Sequence, residues 1–460
     1  MERRCGSPGA ISVPFHCGHC GYQSVKWLGR CPSCGEWDTF VEKSVDKDTE
    51  APAASWIGEE PRPIAEINLA EINRLTSGIG EIDRLLGGGL IPGGVILFGG
   101  EPGIGKSTLL LQLAQCLAER YGNVLYVSGE ESAAQIKLRA SRLGVDNEHL
   151  YVLSEQSLLR IEEAVERISP CVLIIDSIQT TVSETAPGEA GSLRQLREIS
   201  AHLTRLTKAR KIVTFLVGHI TKEGSFAGPK TVEHLVDAAI YLEGSRGEDV
   251  RIVRSVKNRF GATNEVAVFR MGASGLKEIT DPSRFFLEDH QAEPRAGSVV
   301  VPVLEGTRPI LVELQALVSP TGGYGIPQRR CTGLDVNRVL LLLAVIERRL
   351  GIHTGSADVY LSIAGGLEVR ERAVDLGVIA AVVSSLRDRP LPTQVVLAGE
   401  VGLSGEVRGV RKLRERIKEA AKLGYQRAIV PDVSKLSSTP KIELVPVRTI
   451  EDAMDALMLR

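Results

Sequence analysis

The 460-residue chain lacks the features that usually announce a function early. It has no excess of charge: 55 basic side chains face 57 acidic ones, for a net charge of −2. A uniformly basic nucleic-acid binder is therefore excluded, and any contact with a polynucleotide has to come from a local patch. No apolar run reaches the ~20 residues needed to span a bilayer, so no membrane partner is expected. The opening stretch, MERRCGSPGAISVPF, lacks the apolar core of a secretory signal, which makes a cytoplasmic location the expectation. Short-period repeats and low-complexity tracts are also missing. What remains is a chain 43% hydrophobic and 24% charged, long enough to bury two or three cores.

The cysteines are the first positive feature. Four of the eight crowd into residues 17–34, as Cys17-Gly-His-Cys20 and Cys31-Pro-Ser-Cys34. Each C-x-x-C pair can sit on a tight turn that aims two thiolates at one point. Two pairs complete a closed tetrahedron, the form of a structural zinc site. A segment this small buries too little apolar surface to fold alone, so metal binding would supply its folding free energy. His16 and His19 compete as ligands but are not needed once four thiolates are available. Cys5, Cys116, Cys171 and Cys331 are scattered and read as small buried residues or idle thiols.

The order of segments predicts an α/β protein in three parts. Residues 1–45 form the zinc finger, and 46–63 are a polar, Pro/Ala-rich linker. Residues 64–285 alternate buried strands (GGVILFGG, NVLYVSGEE, CVLIIDS, KIVTFLVGH, VDAAIYLEG) with amphipathic helices, the pattern of a wound, mostly parallel sheet. Residues 286–460 form a second α/β unit.

The first unit carries a nucleotide motif. Gly100-Glu101-Pro102-Gly103-Ile104-Gly105-Lys106-Ser107-Thr108 is a full P-loop between the apolar strand VILF and the helix STLLLQLAQCLAE. Its glycines let backbone N–H groups wrap phosphates at a helix N-terminus. Lys106 neutralises β- and γ-phosphate charge, and Ser107 ligates magnesium. ATP and Mg²⁺ are the expected cofactors beside Zn²⁺. Asp176, ending CVLIIDS, fits the outer-shell magnesium carboxylate. Glu130, ending NVLYVSGE, is the expected general base, with Glu131 as its alternate. Another strand ends at His219, a position suited to sensing the γ-phosphate.

A second stretch, VRIVRSVKNRFGATNEVAVFRM (250–271), reads as a hairpin whose tip carries more chemistry than a turn requires. Lys257 and Arg259 are expected to act in catalysis as cations reaching the nucleotide of a neighbouring subunit. Direct contact of the tip with DNA is the competing reading.

The run TSGIGEIDRLLGGGLIPGGVILFGGEPGIGKSTLLLQLA resembles the RecA-like ATPases, in particular the branch holding the clock ATPase KaiC and the RadA (Sms) repair factors. The four-cysteine head, the KNRFG tip and the C-terminal unit extend that likeness over essentially the whole chain. The resemblance implies a DNA-dependent ATPase and ring-forming motor, a homo-hexamer, that promotes branch migration in recombination and repair. It implies single-stranded and branched DNA, a recombinase and other repair proteins as partners. An ATP-switched, KaiC-like assembly scaffold is the alternative.

The C-terminal unit is similar to the protease domain of Lon. At the Lon serine turn this chain reads Glu371-Arg372-Ala373-Val374-Asp375, and the Lon lysine falls near Arg414, with Lys412 close by. Alanine offers no nucleophile and arginine does not surrender its proton, so no peptidase activity is expected. Ser384 and Ser385 lie about three helical turns along, too far to substitute. The resemblance also points to two polar loops, 179–198 and 221–236, as DNA contacts, with Lys222, Phe226 and Lys230 as candidates. A basic helix carrying Arg408, Arg411, Lys412, Arg414, Arg416 and Lys418 is a further candidate patch.

Overall fold

A computed structural model describes residues 15–17, 19, 22–24, 26–42, 61, 63–66, 73–219, 231–244, 249–287, 294–321, 326–392, 394–432 and 442–459. The chain divides into two compact units, Met1–Pro63 and Ile64–Arg460. In the first, three short strands, β1 (Phe15–Cys17), β2 (Gln23–Ser24) and β3 (Phe40–Glu42), form an antiparallel sheet in the order β2-β1-β3. Among the described residues its core is Cys17, Cys31 and Phe40, with Phe15, Leu28 and Cys34 packed against them. That is too small to stabilise a fold without a cross-link.

The second unit is built on two sheets. The larger begins after helix α1 (Gly80–Leu85) and contains β4 (Val95–Gly100), β5 (Val124–Ser128), β6 (Leu150–Ser154), β7 (Val172–Asp176), β8 (Val213–His219), β9 (Ala238–Glu243), β10 (Val250–Asn258), β11 (Val266–Gly272) and β12 (Gly275–Glu278). The strand order is β12-β11-β10-β9-β4-β8-β7-β5-β6. Strands β9, β4, β8, β7, β5 and β6 are parallel, and β10 to β12 add an antiparallel extension. The runs VILFGG and VLYVS are buried at every position, because helices cover both faces of a parallel sheet. The crossover helices are α2 (Lys106–Tyr121), α3 (Ala133–Leu143), α4 (Leu158–Ile168), α5 (Leu193–Arg210) and the short α6 (Thr231–Leu235). Ser132 and Gln135 form a reciprocal capping box that starts α3 immediately after the Glu130-Glu131 pair.

After α7 (Pro282–Phe286) comes a seven-stranded sheet. Its strands are β13 (Ser298–Glu305), β14 (Arg308–Pro320), β15 (Arg329–Thr332), β16 (Ala357–Ile363), β17 (Val395–Leu397), β20 (Arg427–Pro431) and β21 (Glu443–Val447). They lie in the order β15-β16-β14-β13-β17-β20-β21. A small hairpin, β18 (Glu400–Val401) with β19 (Val407–Arg408), stands apart. Helices α8 (Val336–Val345), α9 (Asp375–Leu386) and α11 (Ile450–Ala456) pack in one core, and α10 (Leu413–Lys422) joins the core on β13, β14, β17 and β20. Helix α9 is buried from Asp375 to Ser384, which explains its apolar sequence. The core of this sheet also takes in Val266 and Val268 of β11, so the two sheets share packing.

Candidate active site

The cleft follows from the strand order. Two strands, β8 and β7, lie between β4 and β5, so the connections leaving their C-terminal ends diverge and open a crevice. Four strand ends line a cleft of about 410 Å³: the P-loop after β4, Ser128 with Glu130 and Glu131 after β5, Asp176 of β7 and His219 of β8. Arg139 of α3 completes the wall.

The P-loop glycines are there for geometry. Gly103 and Gly105 adopt φ of 78° and 117°, a region closed to most side chains. A methyl group on Gly105 would also lie 2.6 Å from Met271 Cε. Helix α2 starts at Lys106, so its first N–H groups face the cleft unpaired by the helix itself. Lys106 is buried, and its ammonium donates to the carbonyls of Gly100 at 2.8 Å and Glu101 at 2.9 Å. It also meets His219 Nδ1 at 3.1 Å. Burial lowers its pKa to about 8, against the raising influence of Asp176 and Glu130. A buried ammonium resting on neutral carbonyls is a cation in want of an anion.

Around it the acids are sorted by their partners. Asp176 accepts a hydrogen bond from the Tyr126 hydroxyl. Burial, then the Asp176 charge, pushes that phenol well above its ordinary pKa, so it stays a donor. Glu130 accepts from Ser177 Oγ at 3.0 Å and lies 3.5 Å from His219 Nε2. Glu131 is instead paired with Arg139. The structure thus gives the two adjacent glutamates different environments, and Glu130 is the one turned to the polar strand ends. Because the Lys106 ammonium donates to Nδ1, His219 presents its Nε2 hydrogen toward Glu130.

These residues fit a magnesium nucleotide. Lys106, Ser107 and the loop N–H groups form the phosphate side, and Ser107 with Asp176 would hold the ion, which neutralises phosphate charge when bound. Sequence reasoning missed Tyr126, Ser177, Arg139 and Arg251. Tyr126 reads as core in NVLYVSGEE, and Arg139 reads as a solvated helix face. Arg251 of β10 donates to the Ile104 carbonyl of the P-loop at 3.1 Å, across a sequence distance no motif records.

The 257–261 tip lies at the other edge of this sheet. Register pairs Asn258 with Ala238 and Ala238 with Ile96, whereas Gly100 pairs with Leu242. The four steps from Ile96 to Gly100 alone separate the tip from its own P-loop by roughly 13 Å. Lys257 and Asn258 belong to strand β10 itself rather than to a turn. Lys257 Nζ donates to the carbonyls of Glu233 at 2.7 Å and His234 at 3.1 Å, near the C-terminus of α6. Burial, with the neighbouring Arg259, lowers its pKa. Arg259 is exposed and tethered to Asp237 at 3.4 Å.

In the first unit, the sulfurs of Cys17, Cys31 and Cys34 lie within 4.8 Å of one another. Cys17 and Cys34 Sγ are 3.7 Å apart, and ~2.3 Å Zn–S bonds in a tetrahedron require about 3.8 Å. The three thiolates therefore fit zinc, and Cys20, the expected fourth ligand, lies outside the described residues. Lys222, Phe226 and Lys230 lie outside them as well. The 179–198 segment is described. It is anchored at its two ends and exposed between them: buried Gln195 accepts from Ser183 N at 2.8 Å and donates to the carbonyls of Ser183 and Ala186 at 3.0 and 2.6 Å, while 187–190 are exposed.

The C-terminal sheet corrects one expectation. Arg416, counted above in a basic surface patch, is fully buried. Its guanidinium clasps both oxygens of Glu371 and donates to the Pro302 carbonyl. Arg408 pairs with Glu406, and Lys412 donates to the Thr307 carbonyl at 3.2 Å. Helix amphipathicity put Arg416 among its charged neighbours, but the carboxylate that draws it inward is 45 residues away. Ala373 is buried in the turn Arg372–Val374, and Arg414 is exposed in the first turn of α10. Ser384 Oγ accepts from Gly297 N, and Ser385 Oγ from Val318 N, each at 2.9 Å.

Together the wound sheet, the P-loop and the carboxylates at neighbouring strand ends define a P-loop ATPase of the RecA-like class. Comparison with known proteins agrees. An AAA domain family matches residues 60–225, a rubredoxin metal binding domain 15–42, and the Lon protease (S16) C-terminal proteolytic domain 371–459. "DNA repair protein RadA" of Halalkalibacterium halodurans is 46% identical over 454 residues, 97% of this chain and 98% of its own. The protein of that name from Bacillus subtilis is 46% identical over 96% of this chain and 97% of its own, and that from Aquifex aeolicus 46% over 98% and 100%. The chain belongs to the RadA family of DNA repair proteins. Among solved structures, a KaiC-like protein from Pyrococcus horikoshii covers 45% of this chain and 99% of its own, at 24% identity and a TM-score of 0.39. No helix among the described residues is long and apolar enough to cross a membrane.

Proposed function

We propose that this protein is a DNA-stimulated ATPase that assembles into rings and drives branch migration in recombinational repair. The carrying observation is the opposition of the two ends of one sheet. The nucleotide cleft lies at the C-terminal edge of β4, while Arg259 stands exposed at the opposite edge. A cation so placed serves no nucleotide of its own chain but suits that of a neighbour in a closed ring, in a finger role. In this reading Lys106 and Ser107 bind Mg-ATP, Glu130 takes a proton from the attacking water, and Lys257 with Arg259 report the γ-phosphate across the interface. Lys257 already touches the end of α6, directly after the 220–230 segment, which ties the tip to a candidate DNA loop. DNA contacts would be phosphate-directed and salt-sensitive. The zinc site would be structural. The Lon-like part would be peptidase-inactive, with Ala373 where chemistry would need a nucleophile and Arg414 near where it would need a neutral base.

The test is ATP turnover by the full chain with and without single-stranded DNA over a salt range, beside Lys106→Ala and Arg259→Ala. Arg259→Ala is expected to bind ATP normally and to lose DNA stimulation by about 10³-fold, the low end for a finger residue. Absence of DNA stimulation in the unmodified chain at every salt concentration would sink the reading in favour of an ATP-switched scaffold.

A further inference from the structure

The turn joining β13 to β14 leaves the C-terminal sheet and lands on the base of the 257–261 tip. Gly306 sits there at φ of 60°, and a methyl group on it would lie 1.8 Å from the Asn264 carbonyl oxygen. Only glycine permits this approach. Next to it the Thr307 hydroxyl donates to one oxygen of Glu265. The other Glu265 oxygen accepts from Arg84 at 2.7 Å. Glu305, on the near side of the turn, takes Arg254 of β10 at 2.9 Å. The turn therefore grips both strands of the tip hairpin, β10 through Arg254 and the approach to β11 through Asn264 and Glu265.

The tip is held from its other side too. Arg74 donates to the Phe260 carbonyl at 2.9 Å, and a methyl group on Gly261 would meet Gly87 Cα at 3.0 Å. Adhesion between the two sheets is already supplied by Val266 and Val268 inside the C-terminal core. The hydrogen-bonded charges at the turn add direction rather than area, since each fixes an angle that apolar packing leaves loose.

We infer that the Gly306–Thr307 turn is a positioning element for the tip, holding its base so that Arg259 is presented at the angle a neighbouring nucleotide requires. The C-terminal sheet thus acts on ATP turnover through this contact, without touching nucleotide. The inference rests on the reading of Arg259 as an intersubunit cation.

Its test uses the full chain and the variants Thr307→Val and Gly306→Ala, each alone and with Arg259→Ala. Thr307→Val keeps shape and removes one hydrogen bond, so folding is not at stake. It is expected to lower DNA-stimulated turnover about tenfold, with nucleotide Kd unchanged, as loss of a hydrogen bond to a charged group predicts. Backbone amides of residues 258–265 should exchange about tenfold faster while those of 95–100 keep their protection. Gly306→Ala should do the same more severely. In the Arg259→Ala background neither change should lower turnover further, because both act through that side chain. Unchanged exchange at 258–265, or a full loss of turnover persisting without Arg259, overturns the inference. If Arg259→Ala alone keeps full stimulation, the reading of the tip falls and takes this one with it. If Arg259→Ala loses stimulation and Thr307→Val alters neither exchange nor turnover, only the positioning role falls.

Discussion

Lys106 and Arg416 are both cations buried at helix–sheet junctions, and they are held in opposite ways. Lys106 leans on two neutral carbonyls and a histidine, none of which balances its charge at contact distance. Arg416 is clasped through both terminal nitrogens by the carboxylate of Glu371 and donates to the carbonyls of Pro302 and Arg411 besides. The first arrangement is poised, because an arriving anion can replace weak acceptors with strong ones. The second is closed, because any ligand would have to break a bidentate ion pair. One buried cation is left open to a ligand and the other is sealed by its own fold.

Exchanging the roles of the two cations is the strongest way to break that comparison. Arg416→Ala leaves Glu371 facing the interior without its partner and should cost about 3 kcal/mol, the low end for a broken buried pair because Glu371 is partly exposed. A thermal melt should show a midpoint roughly 4 °C lower for the Ile64–Arg460 unit, with ATP affinity at low temperature intact. Lys106→Ala should do the reverse, losing nucleotide binding with little change in the melt. Equal melting losses in both would erase the distinction.

Within the open cleft, the two adjacent glutamates sharpen it further. Glu130→Gln should reduce ATP turnover about 10²-fold or more while ATP still binds, as removal of a general base does. Glu131→Gln, which only loosens the Arg139 pair, should stay within about threefold of the parent, since such pairs contribute little near a surface. Single-turnover kinetics separates the two, and a reversed order would make Glu131 the base.

A smaller effect than loss of Glu130 is one of pH. The Lys106 pKa is lowered to about 8 in the nucleotide-free protein, and bound phosphate favours the charged form. Affinity is therefore full below pH 8 and falls as pH rises through it, by about tenfold between pH 7 and pH 9. Nucleotide titration across that range checks it, and Lys106→Arg should flatten the profile.

Legibility in the sequence followed the range of the interactions. The P-loop, the strand runs and the cysteine pairs are local patterns, so they read directly: β4, β5, β7, β8 and β9 coincide with the five apolar runs, whereas β6, which is only partly buried, has no such run. Tyr126, Arg139, Ser177 and Arg251 were invisible as site residues because their partners lie elsewhere in the chain. Arg416 misled for the same reason: helical spacing records a side chain's direction, not the carboxylate waiting across the sheet.

Composition, periodicity and motif spacing by themselves determined that this chain carries two C-x-x-C pairs near its start and a wound α/β sheet with a phosphate loop, and the resemblance to Lon added the turn that reads Ala373 here. Each depends on residues close in sequence, where backbone geometry ties order to position. Only the tertiary structure decided which glutamate turns to His219, which cation is sealed by Glu371, and that the Arg259 tip stands at the opposite edge of the sheet from its own P-loop. Those outcomes depend on strand order and register, which bring distant residues together and which no local pattern encodes.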